Sequence, residues 1–230
     1  MENQERNKPL TKKDDVPLPL EPLADKWQWF LYVLFGGIGT LAMRRLDEGL
    51  WAAGQVSPVQ LMHYVSLAVC LFAFLIYDVG ALAVLIKKFP YKISGWSAAR
   101  YFLDIVMVFL LFLLLMSGLG PVPASDIASK LVNVPPQSPL VMICAVSAWH
   151  IGAAIWHFLA SFDHGHLPAP TAYLPHVLFA GAYWLVYAIG HWVFNLDTTW
   201  LLSLIGLTVL AISIFRWFQV IKLHVAAGAE

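Results

Sequence analysis

The sequence predicts an all-α membrane protein with six transmembrane helices in one bundle, and three observations support this prediction. Of the 230 residues, 60% are hydrophobic and only 12% are charged, with a mean hydropathy of +0.70. Soluble domains carry about 25% charged residues, so this chain lacks the charge needed to cover a water-facing surface. The apolar residues are grouped in stretches of about 20, the length that crosses a bilayer as a helix. The formal net charge is zero, which argues against a nucleic-acid partner.

Six apolar segments are separated by polar or proline-containing connections. They cover Trp27–Met43, Val59–Ile86, Ala98–Leu119, Pro139–Phe162, Thr171–Phe194 and Thr199–Val220. Residues 1–25 are polar, charged and rich in proline, which predicts a disordered cytoplasmic tail. Residues 26–222 are predicted to form one transmembrane domain, with residues 223–230 as a short cytoplasmic tail. A loop rich in proline, serine and asparagine, residues 120–138, separates the third segment from the fourth.

Lysine and arginine residues set the predicted orientation. They are concentrated in the N-terminal tail, near the C-terminus, and between the second and third segments, where Lys87, Lys88 and Lys92 lie. The positive-inside rule places all three groups on the cytoplasmic side if the number of spans is even. Arg44 and Arg45 would lie on the opposite side, but two acidic residues follow them closely. We therefore expect a multi-pass protein of the plasma (inner) membrane with both termini in the cytoplasm.

Ionisable residues inside the apolar segments are the candidate functional residues, because such groups are costly in a bilayer. Six of the eight histidines lie between Trp149 and Trp192. A helix rises about 1.5 Å per residue, so depth along each predicted span can be counted from the sequence. The count predicts an inner level of His157, His176, Asp78 and Asp104, an outer level of His63 and His191, and His150 between the two levels. Tryptophans that lie deep in the spans beside these histidines are Trp149, Trp156 and Trp184.

The leading hypothesis is that these histidines bind haem b or a transition metal in membrane electron transfer. Neutral imidazole is a common ligand for both. The predicted cofactor-binding residues are His63, His150, His157, His176 and His191, with Trp149, Trp156 and Trp184 as walls of the site. The inner level (His157, His176, Asp78 and Asp104) is the predicted metal set. Such a protein would have the lipid bilayer around it and could be a subunit of a larger electron-transfer complex, with other membrane subunits as partners.

Four other interpretations stay open. His150 could act as the base of an intramembrane ester hydrolase, with Ser66, Ser147 or Thr171 as the hydroxyl nucleophile. The histidines and carboxylates could form a proton or ion relay, or the chain could be a non-catalytic subunit of a membrane complex. Each histidine could also simply bond across a helix interface. His164 and His166 lie in a short connection and are expected to be solvated, whereas Arg100 and Asp104 are spaced for a helical ion pair.

The motif Pro-His-x-Leu-Phe-Ala-Gly-Ala-Tyr-Trp-Leu-Val-Tyr, at residues 175–187, follows a histidine-bearing fourth segment, and Gln-Leu-Met-His-Tyr-Val-Ser begins the second. In this layout residues 27–220 resemble the androgen-induced/rolling-stone superfamily of six-helix membrane proteins. The resemblance implies a fatty-acid-ester hydrolase with an intramembrane threonine and a histidine, and His150 matches that histidine. His63 stands at the position of the threonine, so the nucleophile of the family is not matched and Ser66 is the only close substitute.

Overall fold

The computed structural model describes residues 21–52, 58–92, 94–119 and 138–227. These ranges contain α-helices, one π-helical turn and no strand, which confirms the all-α prediction for the described part of the chain. The helices are α1 (Glu21–Ala52), α2 (Pro58–Lys88), α3 (Gly95–Leu119), α4 (Pro139–Asp163), α5 (Pro170–Ala188) and α6 (Thr198–Ala227). The π-helical turn Ile189–Val193 extends α5 at its end.

Five of these helices, α2 to α6, are long and apolar enough to cross a membrane. The first predicted segment, Trp27–Met43, lies within α1, which is not among the five, so six crossings are not confirmed. α1 begins at Glu21, four residues before the predicted end of the N-terminal tail, and the rest of that tail lies outside the described residues. Almost all of the predicted loop 120–138 lies outside them as well. At the C-terminal end α6 continues to Ala227, past the predicted start of the cytoplasmic tail.

The helices pack in three main pairs: α3 on α4, α4 on α5, and α2 on α6. Glycine permits the closest approaches. A Cβ atom at Gly206 would lie 2.6 Å from Leu67 Cδ1, so α2 and α6 approach closely here and the Leu67 side chain would have to move to admit a larger residue. A Cβ atom at Gly118 of α3 would likewise lie 2.6 Å from Leu71 Cδ1. The side chains between the helices form one continuous apolar core.

An ion pair joins the beginning of α3 to the end of α4. Arg100 Nη1 lies 3.6 Å from Asp163 Oδ2, and the two side chains are 0% and 1% exposed. The hydroxyls of Ser94 and Ser97 both donate to the Asp163 carboxylate, the latter over 2.6 Å. This arrangement corrects the expectation that Arg100 pairs with Asp104 along α3: the end of α4 brings Asp163 to the guanidinium instead.

Aromatic rings enclose the other sides of Arg100. Its guanidinium carbon lies 4.5 Å from the centre of the Tyr91 ring and 4.8 Å from that of Trp156, and Nη2 donates to the Phe89 carbonyl. Tyr91 in turn donates its hydroxyl to Asp104. Burial raises the pKa of Tyr91 above its ordinary value, so the hydroxyl keeps the proton that this hydrogen bond needs. The same cluster therefore fixes both the connection before α3 and the Asp104 side chain.

Candidate functional site: a polar-ended cavity between the helices

A cavity of about 1040 Å³ lies between the helices, with walls from α2 to α6 and from the connection after α4. Asp78, Leu82, Leu85 and Lys88 line it from α2. These residues are spaced by three or four along the helix and share one face, so the cavity follows α2 over about 15 Å. Most of the wall is apolar, and ionisable groups contribute from several helices.

Two buried carboxyl groups, Asp78 of α2 and Asp104 of α3, line the cavity side by side. The indole N–H of Trp149 lies next to Asp78, and that of Trp156 next to Asp104, although neither indole reaches regular hydrogen-bond geometry. Ionising both carboxyls would place two like charges together in a low-dielectric site. One member of the pair is therefore expected to hold a proton.

Four side chains form a continuous hydrogen-bonded chain from the cavity into the bundle. Arg216 Nη2 lies 3.1 Å from His176 Nε2, His176 Nδ1 lies 3.1 Å from His150 Nδ1, and His150 Nε2 lies 3.3 Å from the Tyr183 hydroxyl. Arginine can only donate, so His176 accepts at Nε2 and, as a neutral ring, donates from Nδ1. His150 then accepts at Nδ1 and donates from Nε2 to Tyr183. The arginine thus sets the tautomer of both histidines. We call these four residues, Arg216, His176, His150 and Tyr183, the arginine–histidine chain.

The third histidine of this region is His157, which lies seven residues after His150 on the same face of α4. Its ring centroid lies 5.5 Å from that of His176, and both rings line the cavity. Among the predicted inner residues, His157, His176, Asp78 and Asp104 therefore all face one space. His150 lies behind them and is 1% exposed.

The predicted outer residues take no part in the cavity lining. His63 Nδ1 lies 2.8 Å from the Ser203 hydroxyl, and its ring meets that of Trp200 edge to face at 4.3 Å. His191 stacks on Tyr187 with ring centroids 5.4 Å apart, in the π-helical turn. Trp184, a predicted wall residue, points outward and is 43% exposed. The sequence had assigned all three to one cofactor site, and the structure separates them from it because they face away from the cavity.

The structure also separates Ser66 from His150. Ser66 is exposed on α2, whereas both ring nitrogens of His150 contact His176 and Tyr183. In the connection after α4, His164 donates from Nδ1 to the Ala160 carbonyl over 2.9 Å. His166 is exposed, as expected of a solvated residue, and contributes to the rim of the cavity.

Within the residues that the structure describes, no group of three or more histidine, cysteine, aspartate or glutamate side chains is arranged to hold a metal ion. The predicted metal set lines one cavity but does not converge on one point. Haem or metal binding thus stays a prediction from the sequence.

Two residues of this site were missed in the sequence. Arg216 is one of the basic residues near the C-terminus that were counted only for the orientation. It falls inside the sixth predicted segment, and its position among apolar residues was the available signal. Tyr183 lies seven residues after His176, on the same face of α5, which was also visible as spacing.

Fold and cavity define the class of the molecule: a helical protein with several helices suited to crossing a membrane and a cavity between them that has ionisable groups in its wall. Comparison of the chain with protein-family models, with curated proteins and with solved structures finds no match. The class is therefore as far as these findings identify it.

Proposed function

We propose that the chain is a six-span protein of the plasma (inner) membrane, with both termini in the cytoplasm, that binds an amphiphilic small molecule in the cavity. The apolar body of the molecule would lie along Leu82 and Leu85, and its polar end would meet the ionisable groups. In this proposal α1 supplies the sixth crossing. Enzymatic fusions at the C-terminus that are active only in the cytoplasm would support the orientation.

One observation carries the proposed function: donors and acceptors from five helices, α2 to α6, line a single, mostly apolar cavity. Ligand sites in proteins are typically clefts of about 300–1,000 Å³ with apolar walls and a few polar groups that fix orientation. The volume of about 1040 Å³ lies just above that range. The polar groups are the carboxyls of Asp78 and Asp104, the rings of His157 and His176, and the Arg216 guanidinium. A molecule with a polar end and a long apolar body matches this distribution.

The test is the ligand content of the purified protein in lipid nanodiscs, measured by extraction and mass spectrometry. Ala172 lines the cavity, whereas Ala211 is exposed on α6. Ala172→Phe should fill part of the cavity and lower the amount of bound amphiphile per protein, and Ala211→Phe is the matched control. Equal ligand content in the wild type and both variants would contradict the proposal.

The contacts of His150 bear on the haem hypothesis. Its Nδ1 atom is in direct contact with Nδ1 of His176, and no macrocycle fits between two rings so placed. His157 is the predicted ligand that faces the cavity without this constraint. An optical spectrum and an elemental analysis of the same preparation check for haem and metal directly. A Soret band or bound metal would favour the redox function over the one proposed here.

The hydrolase function, and with it the superfamily resemblance, depends on His150 reaching a nucleophile, and its two nitrogens are occupied by His176 and Tyr183. Esterase activity that His150→Ala abolishes would revive it. A stoichiometric membrane subunit that co-purifies would instead favour the non-catalytic function.

A further inference from the structure

We infer that the polar end of the ligand is an anion, a carboxylate or a phosphate monoester, and that Arg216 is the residue that binds it. The inference rests on the proposed function and adds the chemical class of the ligand. Its basis is an arginine that lies in the wall of the cavity with only neutral partners.

Arg216 donates to two neutral acceptors. Nη1 donates to Gln219 Oε1 over 2.9 Å, and Nη2 donates to His176 Nε2 over 3.1 Å. Its Nε atom is buried and has no hydrogen-bond partner. Among the described side chains, no carboxylate lies within ion-pair distance of the guanidinium. The positive charge is therefore held in place but not neutralised.

The arginine–histidine chain keeps His176 neutral, so this residue adds no charge beside the guanidinium. Its neutral ring accepts from Arg216 and passes a donor on to His150, which in turn donates to Tyr183. Each group in the chain has its hydrogen-bonding role filled as a neutral species. A proton added to His176 would set two positive groups against each other, so the chain holds the guanidinium in one orientation without changing its charge.

The charged groups that line the cavity carry more positive than negative charge when the carboxyl pair holds one proton. Tyr77, which precedes Asp78 in α2, interacts with the Arg216 guanidinium and with Asp78, which puts Arg216 at about the depth of Asp78. Asp78 stands beside Asp104, so one of the two carboxyls is expected to hold a proton. Lys88, at the other end of the α2 face, adds a second cation.

A bound anion would satisfy these groups together. A guanidinium binds carboxylate and phosphate oxygens through a two-pronged hydrogen bond. A protonated Asp78 could donate a further hydrogen bond to the same anion, and His157 lines the same part of the cavity. An arginine inside a span without a counter-charge is energetically costly, and a bound anionic ligand would lower this cost by supplying the counter-charge.

The test uses protein in nanodiscs and three bromine-labelled probes with the same chain: a fatty acid, its methyl ester and an alkyl phosphate. Bromine quenches the fluorescence of tryptophans that it approaches, and Trp149 and Trp156 line the cavity. Quenching that Ala172→Phe abolishes is counted as binding in the cavity, because quenching by probe dissolved in the bilayer persists in that variant.

We expect the acid or the phosphate to bind about 10- to 100-fold more tightly than the ester, because a hydrogen bond to a charged group typically strengthens binding by about that factor. Arg216→Gln should remove that preference, so that acid, phosphate and ester bind about equally. Circular dichroism and the detergent titration of the same variant check that it folds. Arg216→Lys should retain part of it. Lys92→Gln removes a positive charge outside the cavity and should retain all of it. The tighter of the two anionic probes distinguishes a carboxylate from a phosphate ligand.

Equal affinities for acid, phosphate and ester in the wild type would overturn the anion inference and leave the proposed function standing. A preference for anions that survives in Arg216→Gln would also overturn the assignment to Arg216. If no probe shows quenching that depends on Ala172, the proposed function itself fails.

Discussion

Removing the Asp163 carboxylate is the sharpest test of how the helices that surround the cavity are held. Asp163→Ala leaves Arg100 without its ion-pair partner 3.6 Å away, in a place where neither side chain is exposed by more than 1%. Breaking a buried pair by removing one partner typically costs about 3–5 kcal/mol, because the remaining charge stays buried. Since Arg100 keeps the Phe89 carbonyl and its two aromatic neighbours, we expect about 3 kcal/mol, at the lower end of that range.

The assay is the free energy of unfolding from titration with a denaturing detergent, for Asp163→Ala, Arg100→Met and the double variant. Removing both charges leaves no uncompensated group, so the double variant should be less destabilised than the sum of the single variants, by about 1–3 kcal/mol. Asp197→Ala is the matched control. Its exposed carboxylate caps α6 by accepting from the Trp200 amide over 3.0 Å, a contact of about 1 kcal/mol.

Two results would refute this reasoning. A loss in Asp163→Ala no larger than that in Asp197→Ala would mean that the pair is not buried as described. Strict additivity of the two single variants would mean that Arg100 and Asp163 act separately. Either result would remove the argument that the ion pair fixes the beginning of α3 and, through Tyr91, the Asp104 side chain in the cavity.

Two further predictions concern the helix contacts and the arginine–histidine chain. Gly206→Leu should lower the free energy of unfolding by about 1–3 kcal/mol or more, because even a Cβ atom there meets Leu67. Gly181→Leu is the control, at a position with no atom within 4 Å of a Cβ, and should cost less than about 1 kcal/mol in the same detergent titration. Equal losses would contradict the close α2–α6 approach. Tyr183→Phe removes the acceptor of the His150 Nε2–H group and should cost about 1–3 kcal/mol. Nitrogen-15 NMR of the wild type should show His150 protonated at Nε2, and a proton at Nδ1 would disprove the direction of the chain.

Depth along a helix could be predicted from the sequence, and it was informative. Counting residues within the apolar segments placed His157, His176, Asp78 and Asp104 at one level, and all four line the cavity. The count works because the rise per residue is nearly constant in any α-helix. The number of crossings was less certain from hydropathy: α1 contains Gln28, Thr40 and charged residues near both ends, and it does not reach the hydropathy of the other helices.

Direction around the helix axis could not be predicted in the same way. His63 and His191 also share a level in the sequence count, yet His63 faces Ser203 and His191 faces Tyr187. In a soluble protein the polar face of a helix marks the side away from the core, but a span in lipid is apolar on nearly every side. Periodicity then carries little information about which neighbour a side chain meets, and the separation of these two histidines from the cavity needed the packed helices.

The charge state of the site depends on the identity of the contacting atoms, which no residue count contains. From the sequence, His150 and His176 were two potential ligands of the same kind. Contact with a donor-only guanidinium makes them unequal, because Arg216 fixes which nitrogen of His176 accepts and therefore which nitrogen of His150 donates. The histidines that first suggested a cofactor site are then the neutral supports of a cation. An anion, which a guanidinium binds, therefore matches these contacts better than a metal ion, which free imidazole nitrogens would bind.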